Sequence, residues 1–495
     1  MKRSNLIMIS TMVIIVLSIG TRAFTAYNHY GDIDSANFRA AYPNEVGTKL
    51  DSCTLCHSGG SYVSGGKTTT LGSCQWCHYV TNYGTDSSEA TLLKTLNSYG
   101  LAYNSGGRNM AALLAISPLD SDDDGYANED EISAETYPGD KGDDPDNVPA
   151  PSIVLSLEEL EQMAQHSQFL LMNASKSDDS YTEYSGVALE SLIKALMLES
   201  ATGITVYAPD GFATYHPFNL SANPNSYHVF GIYPEGTFYY DKQADMATNP
   251  LTGWCNYSSP SAEGRENGSL IYNPEGLKMV LAFERDGENL TPGVLNLQNK
   301  LDGEGPFRIV PPQKNPGPPD QRSTASNATD PTKWIWPYVA SADHNAGFSS
   351  RTVTMIRVEP LPHGTTDINT MEAGWPYVDE KKIIIYGSIN PYPVDALNIS
   401  LDSLISAIRS QKVKVFKNKS SQETLVNKIE AIKNQVAAGA FSGALSKLKK
   451  DVLQKMDGYL SGAVDANDWI NDLDVQKNLA SQIQIIWVML VVLGG

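Results

Sequence analysis

Cys53-Thr54-Leu55-Cys56-His57 and Cys74-Gln75-Trp76-Cys77-His78 hold four of the five cysteines of this 495-residue chain. Each stretch reads C-x-x-C-H, and the repeat decides how the N-terminal unit must be built. Two thiols at this spacing can add across the two vinyl groups of one porphyrin, while the adjacent imidazole turns a nitrogen to the iron. The pattern predicts two covalently attached haems, one held by Cys53, Cys56 and His57, the other by Cys74, Cys77 and His78. The same cysteines could instead form a zinc ribbon or two disulfides. Neither alternative requires a histidine directly after both pairs. The connection between the motifs is short, so the two irons must lie close together, an arrangement suited to electron relay.

The distal ligands have to come from elsewhere in the chain. His29, in Tyr27-Asn28-His29-Tyr30, lies in the same small unit and is the first candidate. Between residues 27 and 150 the only histidines are His29, His57 and His78. The other iron must therefore take Met110 or a histidine from a later segment, or keep an open position. Histidine and methionine ligation would raise the potential relative to a pair of histidines.

The chain start agrees with this chemistry. Lys2 and Arg3 precede an apolar run from Leu6 to Ile19, and small residues at Ala23 and Ala26 offer cleavage positions, the layout of a secretory signal. A retained N-terminal anchor is the alternative. The expected location is periplasmic or extracellular. Hydrophobic residues make up 41% and charged residues 19% of the chain, a balance that suits a globular protein. The formal charge of −20 argues against nucleic acid, whose phosphates are held mainly by Lys and Arg. Redox proteins are the expected partners.

The acidic excess is concentrated. Between Asp120 and Asp146 stand twelve acidic residues and one lysine. From Asp120 the chain reads Asp-Ser-Asp-Asp-Asp-Gly-Tyr-Ala-Asn-Glu-Asp-Glu, which is the D-x-D-x-D-G-x5-E pattern of a calcium loop. It offers side-chain oxygens at Asp120, Asp122, Asp124, Asn128 and Glu131 and the carbonyl of Tyr126, with Gly125 at the sharp turn. The following residues, rich in Asp and Pro, do not read as the long second helix of a calcium sensor. A structural calcium site is therefore expected, with a solvated acidic linker as the alternative.

From Pro149 the composition changes. A helical opening at Leu157-Glu158-Glu159-Leu160 and strand-like runs at Gly203 to Ala208 and Arg351 to Glu359 predict a mixed α+β unit. Tyr184-Ser185-Gly186-Val187-Ala188-Leu189, Asp210-Gly211-Phe212-Ala213, Val280-Leu281-Ala282-Phe283 with Asp286-Gly287, and Gly305-Pro306-Phe307-Arg308-Ile309-Val310-Pro311 follow in order. Together they resemble the molybdopterin-binding domain of the sulfite oxidase family over roughly residues 150 to 360. That resemblance implies a thiolate ligand to molybdenum early in the domain, and no Cys stands between Pro149 and Pro250. Cys255 comes later than the expected position and reads as a buried thiol. Arg308 matches the Arg of the family's Gly-Pro-x-Arg phrase, with a packing role as the alternative. Molybdopterin is accordingly not expected as a cofactor.

The whole N-terminal three quarters resembles the GEGP-motif dihaem proteins, whose name-giving residues are here Gly303-Glu304-Gly305-Pro306. The resemblance implies an exported dihaem electron carrier rather than a catalyst, joined to a domain of enzyme ancestry. Glu304 reads as a turn cap between two glycines. A molybdenum oxidoreductase passing electrons to its own haems, and a calcium-stabilised adhesion or scaffold protein, are the competing readings.

After the strand expected at Lys381 to Gly387, the chain becomes helical. Leu425, Ile429, Ile432 and Val436 share one helical face, as do Leu445, Leu448, Val452 and Met456, with a break around Ala438 to Gly443. A final helix near Leu479 to Leu493 ends in an apolar run of nine residues from Ile485, too short to span a bilayer on its own. Membrane contact is expected only through this helix, if at all. The region resembles the helical FIMAH-type modules of exported bacterial proteins, which implies an attachment or partner surface. The expected architecture is a multidomain α+β chain. It comprises a signal peptide over 1–26, a small, mostly helical dihaem cytochrome c unit over 27–118 and an acidic calcium loop over 119–148. A sulfite-oxidase-like domain over 149–392 and a C-terminal helical bundle over 393–495 complete it.

Overall fold

The computed structural model describes residues 31–52, 54–57, 61–64, 67–70, 96–174, 179–210, 212–219, 227–239, 242–243, 255–297, 301–317, 319, 343–369 and 373–494. The expected signal peptide, His29, Cys53, Cys74, Cys77 and His78 lie outside the described residues. What is described is a mixed α+β protein.

Among its described residues the N-terminal part holds an antiparallel hairpin of Ser61–Ser64 with Lys67–Thr70, and helices Gly31–Ala41, Thr54–His57, Ser98–Ser105, Met110–Ile116 and Asn128–Ser133. Asparagines start two of them: the Asn97 and Asn109 side chains accept the N–H groups of Gly100 and Ala112, satisfying first-turn donors. Phe38, Leu50, Leu55, Tyr99, Leu113, Ile132 and Tyr137 form one core that spans the first C-x-x-C-H segment and the acidic segment. A Cβ added at Gly100 would stand 2.6 Å from the Cys56 carbonyl oxygen, so only glycine lets the helix Ser98–Ser105 lie against the motif.

Among the described residues, the middle of the chain builds three two-stranded sheets and two larger ones. One runs in the order Ser152–Ser156, Lys382–Gly387, Met355–Glu359, Gly203–Tyr207, Ala213–Pro217. Its second and third strands are parallel and the other neighbours antiparallel. The other sheet centres on Asp179–Ala188, flanked by Gln165–Met172 and Val280–Arg285, with Arg308–Val310 on the outer side of the latter.

Two expected strands are shorter than the sequence suggests. The run from Arg351 enters the sheet only at Met355, because Thr352 has a φ of 54° and gives its N–H to the Glu304 carbonyl instead of a ladder partner. Lys381, expected as a strand start, is the left-handed cap of the helix Trp375–Glu380.

The C-terminal helices Val394–Ser410, Lys419–Ala437, Phe441–Lys447 and Leu473–Val492 do not form a core of their own. A single hydrophobic cluster runs from Leu155 and Leu192 through Ile356 and Ile385 to Leu404, Ile429, Ile483 and Val491. The helix Leu473–Val492 is long and apolar enough to cross a membrane by length and composition alone. Here it packs on Leu189–Leu196 and Val394–Ser410, with Leu479, Ile483, Ile486 and Leu490 buried.

Candidate functional site

In the first cysteine motif, Cys56 and His57 share the single helical turn Thr54–His57, and His57 is buried. The turn is clamped from one side. Asn97 donates its backbone N–H to the Cys56 carbonyl at 2.8 Å and its side-chain amide to the Leu55 carbonyl at 3.0 Å. The cap residue of the helix Ser98–Ser105 thereby also fixes the last residues of the motif. The donor set is a thiol beside an imidazole on a rigid turn, which suits covalent haem. Met110, an alternative distal ligand in the sequence reading, stands at the exposed start of the helix Met110–Ile116.

The acidic loop has the geometry of a cation cradle. Asp120 accepts the N–H groups of Asp123 and Asp124 on one oxygen and of Gly125 on the other. Gly125 sits at a φ of 110°, a left-handed conformation that favours glycine. The Tyr126 N–H closes the next turn onto Asp124 Oδ1, and the Tyr126 hydroxyl reaches Asp146. Asn128 and Glu131 are fully buried, and the Asn128 amide donates to the Ile116 carbonyl, leaving its oxygen turned inward. One ligand atom from each of Asp120, Asp122 and Asp124 falls within 4.8 Å of the others.

Both carboxylate oxygens of Asp122, Oδ2 of Asp124, Oδ1 of Asn128 and both carboxylate oxygens of Glu131 are buried with no hydrogen-bond donor. Buried anionic oxygens without partners are strongly unfavourable, and a hard divalent cation is the partner that such a set fits. The electrostatics register the same conflict. Burial, then the neighbouring Asp124 and Asp120, push the Asp122 carboxyl up to about 6. Burial, then Asp122, Asp124 and Asp120, push Glu131 up to about 9. Burial also works upward on Asp120, but its three backbone donors bring it below the ordinary carboxylate value. The second helix is only Asn128–Ser133, shorter than a sensor hand needs.

The loop is continuous with the first C-x-x-C-H segment. Eight residues after Glu131, Gly139 packs so tightly on the Asn97 side chain that a Cβ there would lie 2.4 Å from it. Tyr137 shares a hydrogen bond with Thr54 of the motif itself.

In the middle domain, the sequence reading of Glu304 as a turn cap is corrected. Its carboxylate bridges Arg285, at 2.5 Å, and Arg308, while the Tyr184 hydroxyl donates to it at 3.3 Å. The two arginines offset burial and hold Glu304 below its usual value. The flanking glycines make this possible: a Cβ at Gly303 would meet the Pro292 carbonyl at 2.5 Å, and one at Gly305 the Leu290 carbonyl at 2.5 Å. The motif thus threads a carboxylate between two guanidinium groups across a backbone too close for any other residue. The Arg308 guanidinium also contacts Tyr184 and Ser349. Cys255 is 1% exposed and packed with Tyr181, Tyr239 and Tyr257. Among the described residues this thiol and this arginine do not fit a molybdenum centre, because neither presents an open donor to one.

Sequence reasoning missed Lys49 and Asn97. Lys49 is 1% exposed, and nothing about an isolated lysine four residues before the first motif cysteine predicts burial. No family model, curated protein or solved structure matches the chain.

Proposed function

We propose that this chain is an exported dihaem c-type cytochrome that transfers electrons between redox protein partners. The observation that carries the reading is the pair of C-x-x-C-H motifs. In it, Cys53, Cys56, Cys74 and Cys77 fasten the porphyrins and His57 and His78 ligate the irons. The clamp of Asn97 on the first motif supports it, since a proximal imidazole held on a rigid turn loses little energy to reorganisation when the iron changes charge.

Calcium at Asp120, Asp122, Asp124, Tyr126, Asn128 and Glu131 stiffens the junction between the haem unit and the middle domain. The orphaned oxygens of that loop support this part of the reading. The middle domain acts as a docking body, and its GEGP turn is a structural staple rather than a reaction centre.

The test is the intact mass and absorption spectrum of the mature exported protein. The expected result is two haem masses above a chain starting near Phe24 or Tyr27, with the sharp α-band of a reduced c-type haem. A colourless protein of the bare polypeptide mass would overturn the reading and favour a calcium-stabilised scaffold.

A further inference from the structure

The haem unit, the acidic segment and the middle domain meet at one buried ammonium group. Lys49 Nζ donates to the Thr366 hydroxyl and, at 3.0 Å, to the Asp367 carbonyl. It lies 4.8 Å over the Tyr137 ring and 3.8 Å from Asp143. The Thr366 hydroxyl in turn hydrogen-bonds Asp143. Asp367 also holds Arg357 at 3.1 Å, and Arg357 pairs with Glu359 at 2.8 Å. The Tyr137 ring that carries the ammonium on its face shares its hydroxyl with Thr54, between the first two motif cysteines.

Burying an ammonium group is costly, and a junction that only needed to be tight would be built more cheaply from apolar side chains. What an apolar side chain cannot supply is a fixed positive charge. The charged groups facing Lys49 are Asp143, Asp367 and Glu135, with Arg357 behind Asp367. With the local dielectric low, each of these charges acts on its surroundings more strongly than it would in water.

We infer that Lys49 is a positioning residue that docks the first haem motif on the middle domain and raises the potential of the haem held there. The inference rests on the proposed haem reading. Reduction would add one negative charge to the haem, so a fixed cation linked through Tyr137 to the motif that would hold it would favour the reduced form. Removal of the cation also leaves the Asp143 carboxylate uncompensated, which acts in the same downward direction, while Asp367 keeps Arg357.

The experiment is a spectroelectrochemical titration of the full exported protein, comparing Lys49→Met and Lys49→Arg with the parent. Lys49→Met is expected to lower one of the two midpoint potentials more than the other, and Lys49→Arg to restore the parent values. Asp143→Asn, which removes the opposing charge and keeps the side-chain shape, is expected to move the same haem upward. That variant keeps the inference testable should Lys49→Met not fold. If the parent carries both haems and neither the Asp143→Asn nor the folded Lys49→Met protein shifts a potential, the inference is overturned while the haem reading stands. A parent without covalent haem removes both.

Discussion

Trp487 donates its indole N–H to the carbonyl of Gln162 at 2.8 Å, joining the last helix of the chain to the helix Leu157–Gln162 at the entry of the middle domain. The bond lies within a hydrophobic cluster continuous across residue 392, so the helices and the sheets share one core. Truncation after Asn471 is expected to abolish cooperative folding of the middle domain rather than to release it intact. Trp487→Ala should cost about 3–5 kcal/mol. Thermal denaturation of the full chain checks both.

Cation removal should loosen the junction. With calcium at about 100 times its dissociation constant, linkage gives about 2.7 kcal/mol of stabilisation, lost on chelation. Glu131→Gln is expected to weaken calcium binding at least tenfold, measured by isothermal titration, because the last position supplies both of its oxygens in this loop type.

Glu304→Ala leaves Arg285 and Arg308 half-buried without their shared counter-charge, and breaking such a pair costs on the order of 3 kcal/mol. Gly305→Ala is expected to be at least as damaging, since the methyl group would lie 2.5 Å from the Leu290 carbonyl oxygen. If the GEGP turn is a staple, both variants lower the melting temperature and leave the haem spectrum and potentials unchanged.

His216 is fully buried, and burial pulls its imidazole down to about 4, with the Tyr227 carbonyl working the other way. The fold holds the neutral ring, whereas the unfolded chain takes up a proton near pH 6.5. Its contribution is therefore complete above pH 6.5 and is lost as the pH falls toward 4. At roughly 1.4 kcal/mol per unit, that is about 3 kcal/mol of acid lability. Urea unfolding at pH 7 and pH 4.5 should show a smaller pH difference for His216→Gln than for the parent.

The turn geometry of the acidic loop was legible from sequence because it is local: its carboxylates and its glycine turn lie within twelve consecutive residues. The same holds for the helix Lys419–Ala437, whose apolar spacing predicts the buried face of Leu425, Ile429, Ile432 and Val436, whereas the expected helix through Leu445, Leu448, Val452 and Met456 is α-helical only to Lys447 and continues as wider and tighter turns. The mixed α+β character was legible from alternating and helical patterns, with Thr352 and Lys381 departing where the backbone turns left-handed. The partners of Glu304 were not legible, because Arg285 comes from another strand and the close approach of residues 290–292 is a tertiary fact. Lys49 was hidden for the same reason: its nearest partners lie more than 300 residues away in the chain.

Val148 and Pro149, at the end of the acidic segment, pair in parallel with Thr365 and Thr366. The stitch and the Lys49 contacts both hold the short stretch Thr365 to Asp367. With haem bound as proposed, a unit fastened in this way could not swing on a tether between donor and acceptor. Its partners have to travel to it, and encounter frequency is governed by their diffusion and by the surface they meet, not by the length of a linker.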